Sequence, residues 1–410
     1  MNTSFAPRAL ALAAAAACAG AVQAETSPYA VGVAQTLSQE SNVGRARDGL
    51  AQDDTVSTTG LNFLLDQPMG RQRLRAKAEL GVERFSETSA WNNKPYQLGA
   101  ELNWSTVNRW GGELGFDTGR ELYRYDQNTA DLALNEQRST RAWLRARVGV
   151  ITTWTFEVGL TAYERDLSLA SFDRLDQKQW AGEAGLRYRY NADLGGRLML
   201  RHASGEYPHF SPLLGADEFR RNDLELSADW RLSGASALDA RITWATESHT
   251  QQDSRSRDLW AGSIRWRWAP TGKLAFTTSL QRDSDVGASR FGTDPTDAGS
   301  AITTDETTDA RLSTTLALAA KWTATAKITV DASARHARRD LESDTATGLS
   351  QRGNDDTTTL SLGARYSPAR AIDLGCLVSR ERRNTSAASL GLSYPYGNTL
   401  VSCFGQFWLR

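Results

Sequence analysis

The chain has 410 residues, with 47 Lys plus Arg against 48 Asp plus Glu and a formal net charge of −1. A balance that close to zero gives no electrostatic case for a nucleic-acid partner. The mean hydropathy is −0.48, and the longest strongly apolar run, Ala9 to Ala19, is about half of the roughly 20 residues a helix needs to cross a bilayer, which excludes transmembrane helices.

In chain order, the first predicted element is a targeting segment. Arg8 precedes the apolar run and Val22-Gln23-Ala24 follows it with small residues at signal-peptidase spacing, so residues 1–24 are expected to be a signal peptide and 25–410 a single transmembrane β-barrel. Cys18 lacks the bulky aliphatic residue that a lipoprotein cleavage site carries three positions earlier. Cys376 and Cys403 remain, in an exported compartment that permits pairing.

From residue 25 onward the signal is alternation with period two, as in a strand wet on one face and apolar on the other. Residues 73–83 set Arg73, Arg75, Lys77, Glu79 and Glu83 against Leu74, Ala76, Ala78, Leu80 and Val82. The pattern recurs over 224–232 and 260–268. A soluble sandwich would alternate in the same way, so the connections have to decide. Tight turns are expected at 67–71, 107–109, 152–153, 191–196, 233–237, 269–273, 323–327 and 367–371. Longer polar connections are expected between them, at 39–53, 126–137, 208–217, 283–305 and 341–355 among others. Short connections alternating with long ones mark an outer-membrane antiparallel β-barrel. Eight short turns and nine long loops imply about 18 strands with both termini in the periplasm. Trp104, Trp110, Trp154, Trp180, Trp230, Trp268 and Trp322 lie near strand ends, as aromatic girdles require.

Four patches resemble a known family: Ser41-Asn42-Val43-Gly44-Arg45; Asp54-Thr55-Val56-Ser57 leading to Pro68-Met69-Gly70-Arg71-Gln72-Arg73; Gly205-Glu206-Tyr207-Pro208 with Phe219-Arg220-Arg221-Asn222-Asp223-Leu224; and Ser393-Tyr394-Pro395-Tyr396 with the two late cysteines. In order and spacing the chain resembles the exosortase-associated exopolysaccharide outer-membrane proteins of the β-barrel porin type 2 group. The resemblance implies secretion of an extracellular polysaccharide, with that polymer and its export apparatus as partners. The barrel itself implies the outer-membrane lipid bilayer and the barrel-insertion machinery. Barrels of this kind usually end on an aromatic residue, whereas this chain ends Phe407-Trp408-Leu409-Arg410, so the insertion signal is expected at Phe407 or Trp408. A general diffusion porin is the alternative reading.

Chemistry is thinly represented. His202, His209, His249 and His336 are too far apart for a familiar zinc spacing, so no metal or cofactor is expected. His202-Ala203-Ser204 sets a base and a nucleophile on one strand face, the spacing of barrel-type outer-membrane phospholipases, without the rest of that motif. The chain is therefore read as a non-enzyme. Acidic residues crowd 283–309, read as a solvated outer loop, and 283–305 is the expected constriction loop. Alternation places Arg73, Arg75, Lys77, Arg145, Arg147, Arg187, Arg189, Arg265 and Arg267 in the lumen with fewer acids, which predicts a pore that favours anions. Long Arg side chains that only fill the barrel and pair with Glu are the competing reading. Cys376 and Cys403 fall opposite one another in the last hairpin, beside Leu374 and Val378 on the lipid side, and are expected to form a disulfide.

Overall fold

A computed structural model describes residues 27–107, 109–123, 133–149, 152–211, 215–251, 256–284, 310–344, 350–390 and 392–409. The expected signal peptide and nearly all of the 283–305 segment lie outside them. The strands are β1 (Tyr29–Glu40), β2 (Asp54–Met69), β3 (Gln72–Phe85), β4 (Tyr96–Ser105), β5 (Trp110–Leu122), β6 (Glu136–Val148), β7 (Trp154–Leu167), β8 (Gln177–Arg189) and β9 (Leu194–Ser211). They continue with β10 (Gly215–Ser233), β11 (Ser236–His249), β12 (Arg257–Thr271), β13 (Leu274–Asp283), β14 (Ala310–Thr323), β15 (Ile328–Asp344), β16 (Ser350–Ala369), β17 (Ile372–Thr385) and β18 (Tyr396–Leu409). Each pairs antiparallel with its chain neighbours, and β1 pairs with both β2 and β18, so the 18-stranded sheet closes on itself. Closure leaves no strand edge, the condition for crossing hydrocarbon with strands.

The two faces follow from the register. Side chains from strands two or three apart meet only on the concave face, as Arg145 of β6 meets Glu183 of β8 at 3.1 Å and Arg221 of β10 meets Asp283 of β13 at 3.0 Å. The convex face carries exposed Leu, Val, Ile and Phe, among them Leu61, Leu114, Leu160, Leu200, Leu226 and Leu362. Exposed apolar side chains on every side of a closed barrel have no solvent but lipid. Trp110, Trp154, Trp230, Trp268 and Trp322 sit at the short-turn end of this belt, and Trp180, Trp244 and Trp260 toward the loop end. The Trp266, Trp268 and Phe276 rings stack side by side at the turn end, with centroids 5.7 and 5.4 Å apart.

Two expected loops are mainly strand. β9 and β10 run through most of 208–217, and β15 and β16 through most of 341–355. Beyond the lipid both faces of a hairpin are wet, so polar residues follow one another and the alternation that marks a strand disappears while the backbone ladder continues. The turns are also shorter than expected. β2 continues through Pro68 to Met69, leaving Gly70 and Arg71 as the connection, with Gly70 at φ +63°, a value glycine adopts without a Cβ clash.

Candidate functional site

The lumen has two unlike walls. On β3 to β12 the inward positions are dominated by charge. Arg145 bonds Glu113 at 2.8 Å and Glu183 at 3.1 Å, and Arg147 reaches Glu113 at 3.2 Å. Further along, Arg197 lies 3.3 Å from Glu157, Arg187 2.6 Å from Asp229, and Arg267 2.7 Å from Asp239. On β3, Arg73 grips Asp66 through two nitrogens at 2.6 Å each, and Arg75 lies 4.0 Å from Glu101. Register puts Lys77 on the same face as Asn103 and Glu101 of β4, Arg189 on that of Gly195, and Arg265 on that of Asp239. Glycines admit this crowding: the Trp143 ring lies so close over Gly115 that a Cβ there would clash with it.

On β14 to β18 and β1 to β2 the inward positions are mostly small and neutral. Ser361 stands opposite Ser333 on one side and Ser379 on the other, and Ser38 donates to Ser402 at 2.8 Å across the closing seam. Along this wall runs an apolar stripe of Leu64, Trp408, Phe404, Leu377 and Leu400. Leu64 is 42 % and Leu377 37 % exposed, on the inward face. The Trp408 ring covers Gly32 and the Phe404 ring covers Gly375, while the Arg365 guanidinium sits 5.7 Å from the Phe404 centroid. Ser402 and Gln406 alternate with these rings along β18.

The outer mouth is built from buried ion pairs. Arg221 is fully buried and bonds Asp223 at 2.6 Å, Glu247 at 2.6 Å, Asp283 at 3.0 Å and the Ser284 hydroxyl at 2.7 Å, while Ser284 also donates to Glu247. Arg339 makes two bonds to Asp355, at 2.8 and 2.6 Å, and Ser393 donates to the same carboxylate at 2.8 Å. Arg45 and the Tyr396 hydroxyl both reach Glu381 at 2.7 Å, and Arg383 lies 4.6 Å from the Tyr396 ring centroid. Asp54 accepts backbone N–H bonds from Ser86, Glu87 and Thr88. Val43, Val56, Phe85 and Trp91 form an apolar cluster beneath these loops. Burial raises the Asp176 carboxyl above its ordinary range, opposed by the Leu167 N–H and by His209.

Sequence alternation undercounts the acids on the inward face. It omitted Asp66 and the mouth carboxylates Asp217, Asp223, Glu247, Asp283, Asp355 and Glu381, because the mouth hairpins do not alternate. Residues of all four patches on which the family resemblance rests turn out to fasten the mouth, among them Asn42, Arg45, Asp54, Arg221, Asp223 and Ser393. His202 and Ser204 face outward. Among the described residues no cluster of three or more His, Cys, Asp or Glu is arranged to hold a metal. Cys376 and Cys403 are directly opposed in the β17–β18 register, with Cα atoms 4.0 Å apart, and are joined by a disulfide on the lipid side.

Closure, an apolar belt between aromatic girdles, short turns at one end and long loops at the other define the class: an outer-membrane transmembrane β-barrel. No protein-family model matches the chain, and no curated protein matches it significantly. Solved structures similar to it include the outer membrane protein OpdK of Pseudomonas aeruginosa, at 14 % identity, 93 % of this chain, 99 % of that one and a TM-score of 0.49. OccAB3 of Acinetobacter baumannii is similar at 9 % identity with the same coverages and TM-score. OccK3 of Pseudomonas aeruginosa is similar at 14 % identity, 93 % and 95 % coverage and a TM-score of 0.47. At these identities the likeness concerns overall shape alone.

Proposed function

We propose that the protein is a diffusion channel of the outer membrane for hydrophilic and amphipathic solutes, with a preference for anions set by its charged wall. The observation that carries this reading is the division of the lumen into an Arg-rich wall and a facing neutral wall with an apolar stripe. The mouth carboxylates Asp223, Glu247, Asp283, Asp355 and Glu381 are held against Arg221, Arg339, Arg383 and Arg45, and Asp217 against His249 and two backbone N–H groups, so the acids missed from sequence add little free negative charge below the mouth. Arg73, Arg75, Lys77, Arg145, Arg147, Arg187, Arg189, Arg265 and Arg267 are the residues proposed to line the path, where low-dielectric walls focus their field. Planar-bilayer recording tests it: steady conductance with a reversal potential on the anion side is expected, and a sealed or cation-preferring barrel overturns it.

A second reading, secretion of an extracellular polysaccharide with its export apparatus, rests on the four sequence patches. One structural feature favours it: Phe404 and Trp408 alternate with Ser402 and Gln406, which together offer a sugar a ring face to stack on and hydroxyl or amide partners for its edges. Block of the conductance by a long polysaccharide, absent for a polyether of equal size, would support it.

A further inference from the structure

We propose that the outer surface of the barrel carries an acyl-ester hydrolase site, with Ser204 as nucleophile, His202 as general base and Asn222 as the positioning residue. The sequence supplied the first two; the fold supplies the third. Asn222 of β10 stands directly opposite His202 of β9 in the antiparallel register, on the lipid side of the wall. Its Oδ1 lies 2.7 Å from His202 Nδ1. An amide oxygen only accepts, so Nδ1 carries the proton and Nε2 is left with the free lone pair of a base. Ser204 is two residues further along β9, on the same face, with its Cα roughly 6.5 Å from that of His202 by strand geometry, a gap two side chains can bridge. Nucleophile, base and a third group orienting the base are the parts of a Ser-His-Asn triad.

Depth identifies the substrate. Leu198 and Leu200 precede the triad on β9 and are half-exposed to lipid, whereas Glu206 follows it. Trp180 is paired with Ser204 in register, and its ring stands 6.0 Å from the His202 ring, edge to face. Interfacial Trp marks the level where acyl chains meet headgroups, which is where the ester bonds of a glycerolipid lie. Gly182, opposite His202, leaves a hollow on the lipid face. This hollow has a volume of about 680 Å³ and is lined by Leu144, Val158, Leu160, Ala184, Leu200 and His202, a bed for an acyl chain. Arg220 stands opposite Ser204, outward and exposed, where a cation would meet the headgroup phosphate.

The chemistry is a hydrolysis and needs only lipid and water. Ser204 Oγ bonds to the ester carbonyl carbon as its proton passes to His202 Nε2. The carbon–alkoxy bond then breaks, and His202 returns the proton to the departing lysolipid oxygen. Water, deprotonated by the same nitrogen, attacks the acyl-serine, and the fatty acid leaves as Ser204 recovers its proton.

The test uses the full chain refolded in detergent with phosphatidylethanolamine mixed micelles. Release of fatty acid and lysophosphatidylethanolamine in equal amounts is expected, together with a fluorophosphonate adduct on the peptide containing Ser204. Ser204→Ala and His202→Ala should lower the rate by about 1000-fold or more, and His202→Ala should also abolish labelling. Asn222→Ala should lose about 10-fold or more, while Asn222→Asp should recover part of the rate and move the acid limb of the pH profile upward, because a carboxylate stabilises the imidazolium. Heat-modifiable gel mobility reports whether each variant keeps its barrel. Folded wild-type protein that neither releases fatty acid nor labels at Ser204 overturns the proposal, as does a Ser204→Ala variant with wild-type activity.

Discussion

The two walls of the lumen solve the same problem differently. From β3 to β12 the inward side chains are long and charged and fill space by pairing across strands, as Arg145 does with Glu113 and Glu183. From β14 round to β2 they are short, and what projects is a stripe of Leu and aromatic side chains laid over glycine. Buried or half-buried ion pairs hold geometry but leave a large penalty if one partner is lost. Small hydroxyl residues tolerate change but add little rigidity. The disulfide lies in the second region, between β17 and β18, where a covalent link supplies what the neutral side chains do not.

The comparison breaks most severely at Arg221. Replacing it with Leu leaves Asp223, Glu247 and Asp283 without their common cation, a loss of about 3–5 kcal/mol, seen as a lower urea midpoint. A variant as stable as wild type would show that these carboxylates are held by something else. On the neutral side, Cys376→Ser with Cys403→Ser releases a link across 27 residues and should cost about 3–4 kcal/mol in the chain-entropy model, with reduction of the wild type giving the same shift.

Smaller effects sharpen the contrast in selectivity. Arg145→Gln with Arg147→Gln should lower the anion-to-cation permeability ratio several-fold in a salt gradient, with the barrel intact. Phe404→Ala should leave that ratio unchanged, but weaken block by sugars or aromatic solutes; loss of anion preference in this variant would tie the stripe to charge selection. Ser361→Ala, in the row of facing serines, should alter stability by no more than about 0.5 kcal/mol and leave the reversal potential where it was.

Strand count, and the alternation of short turns with long loops, were legible because lipid on one side and water on the other impose a period of two on each membrane-crossing strand. The Cys376–Cys403 pairing was legible because β17 starts at Ile372, straight after a tight turn, and β18 ends beside it near Leu409, which sets the two antiparallel strands in register although the connection at their other end is long. The mouth was not legible. Arg221 meets Asp283 from 62 residues away, and no local pattern marks two side chains that curvature alone brings together. Asn222 was likewise present in a quoted patch, but its position opposite His202 depends on the β9–β10 register.

By itself, then, the sequence determined a closed antiparallel barrel of 18 strands, the identity of its two faces and the cross-link in its last hairpin, since each follows from local periodicity or from where the strands begin and end. Tertiary structure alone decided the contrast between the walls, the ion-pair fastening of the mouth and the meeting of Asn222 with His202. These depend on which strands the closed sheet sets side by side and on how sharply it curves, and a contact between distant segments leaves no periodic trace in either one.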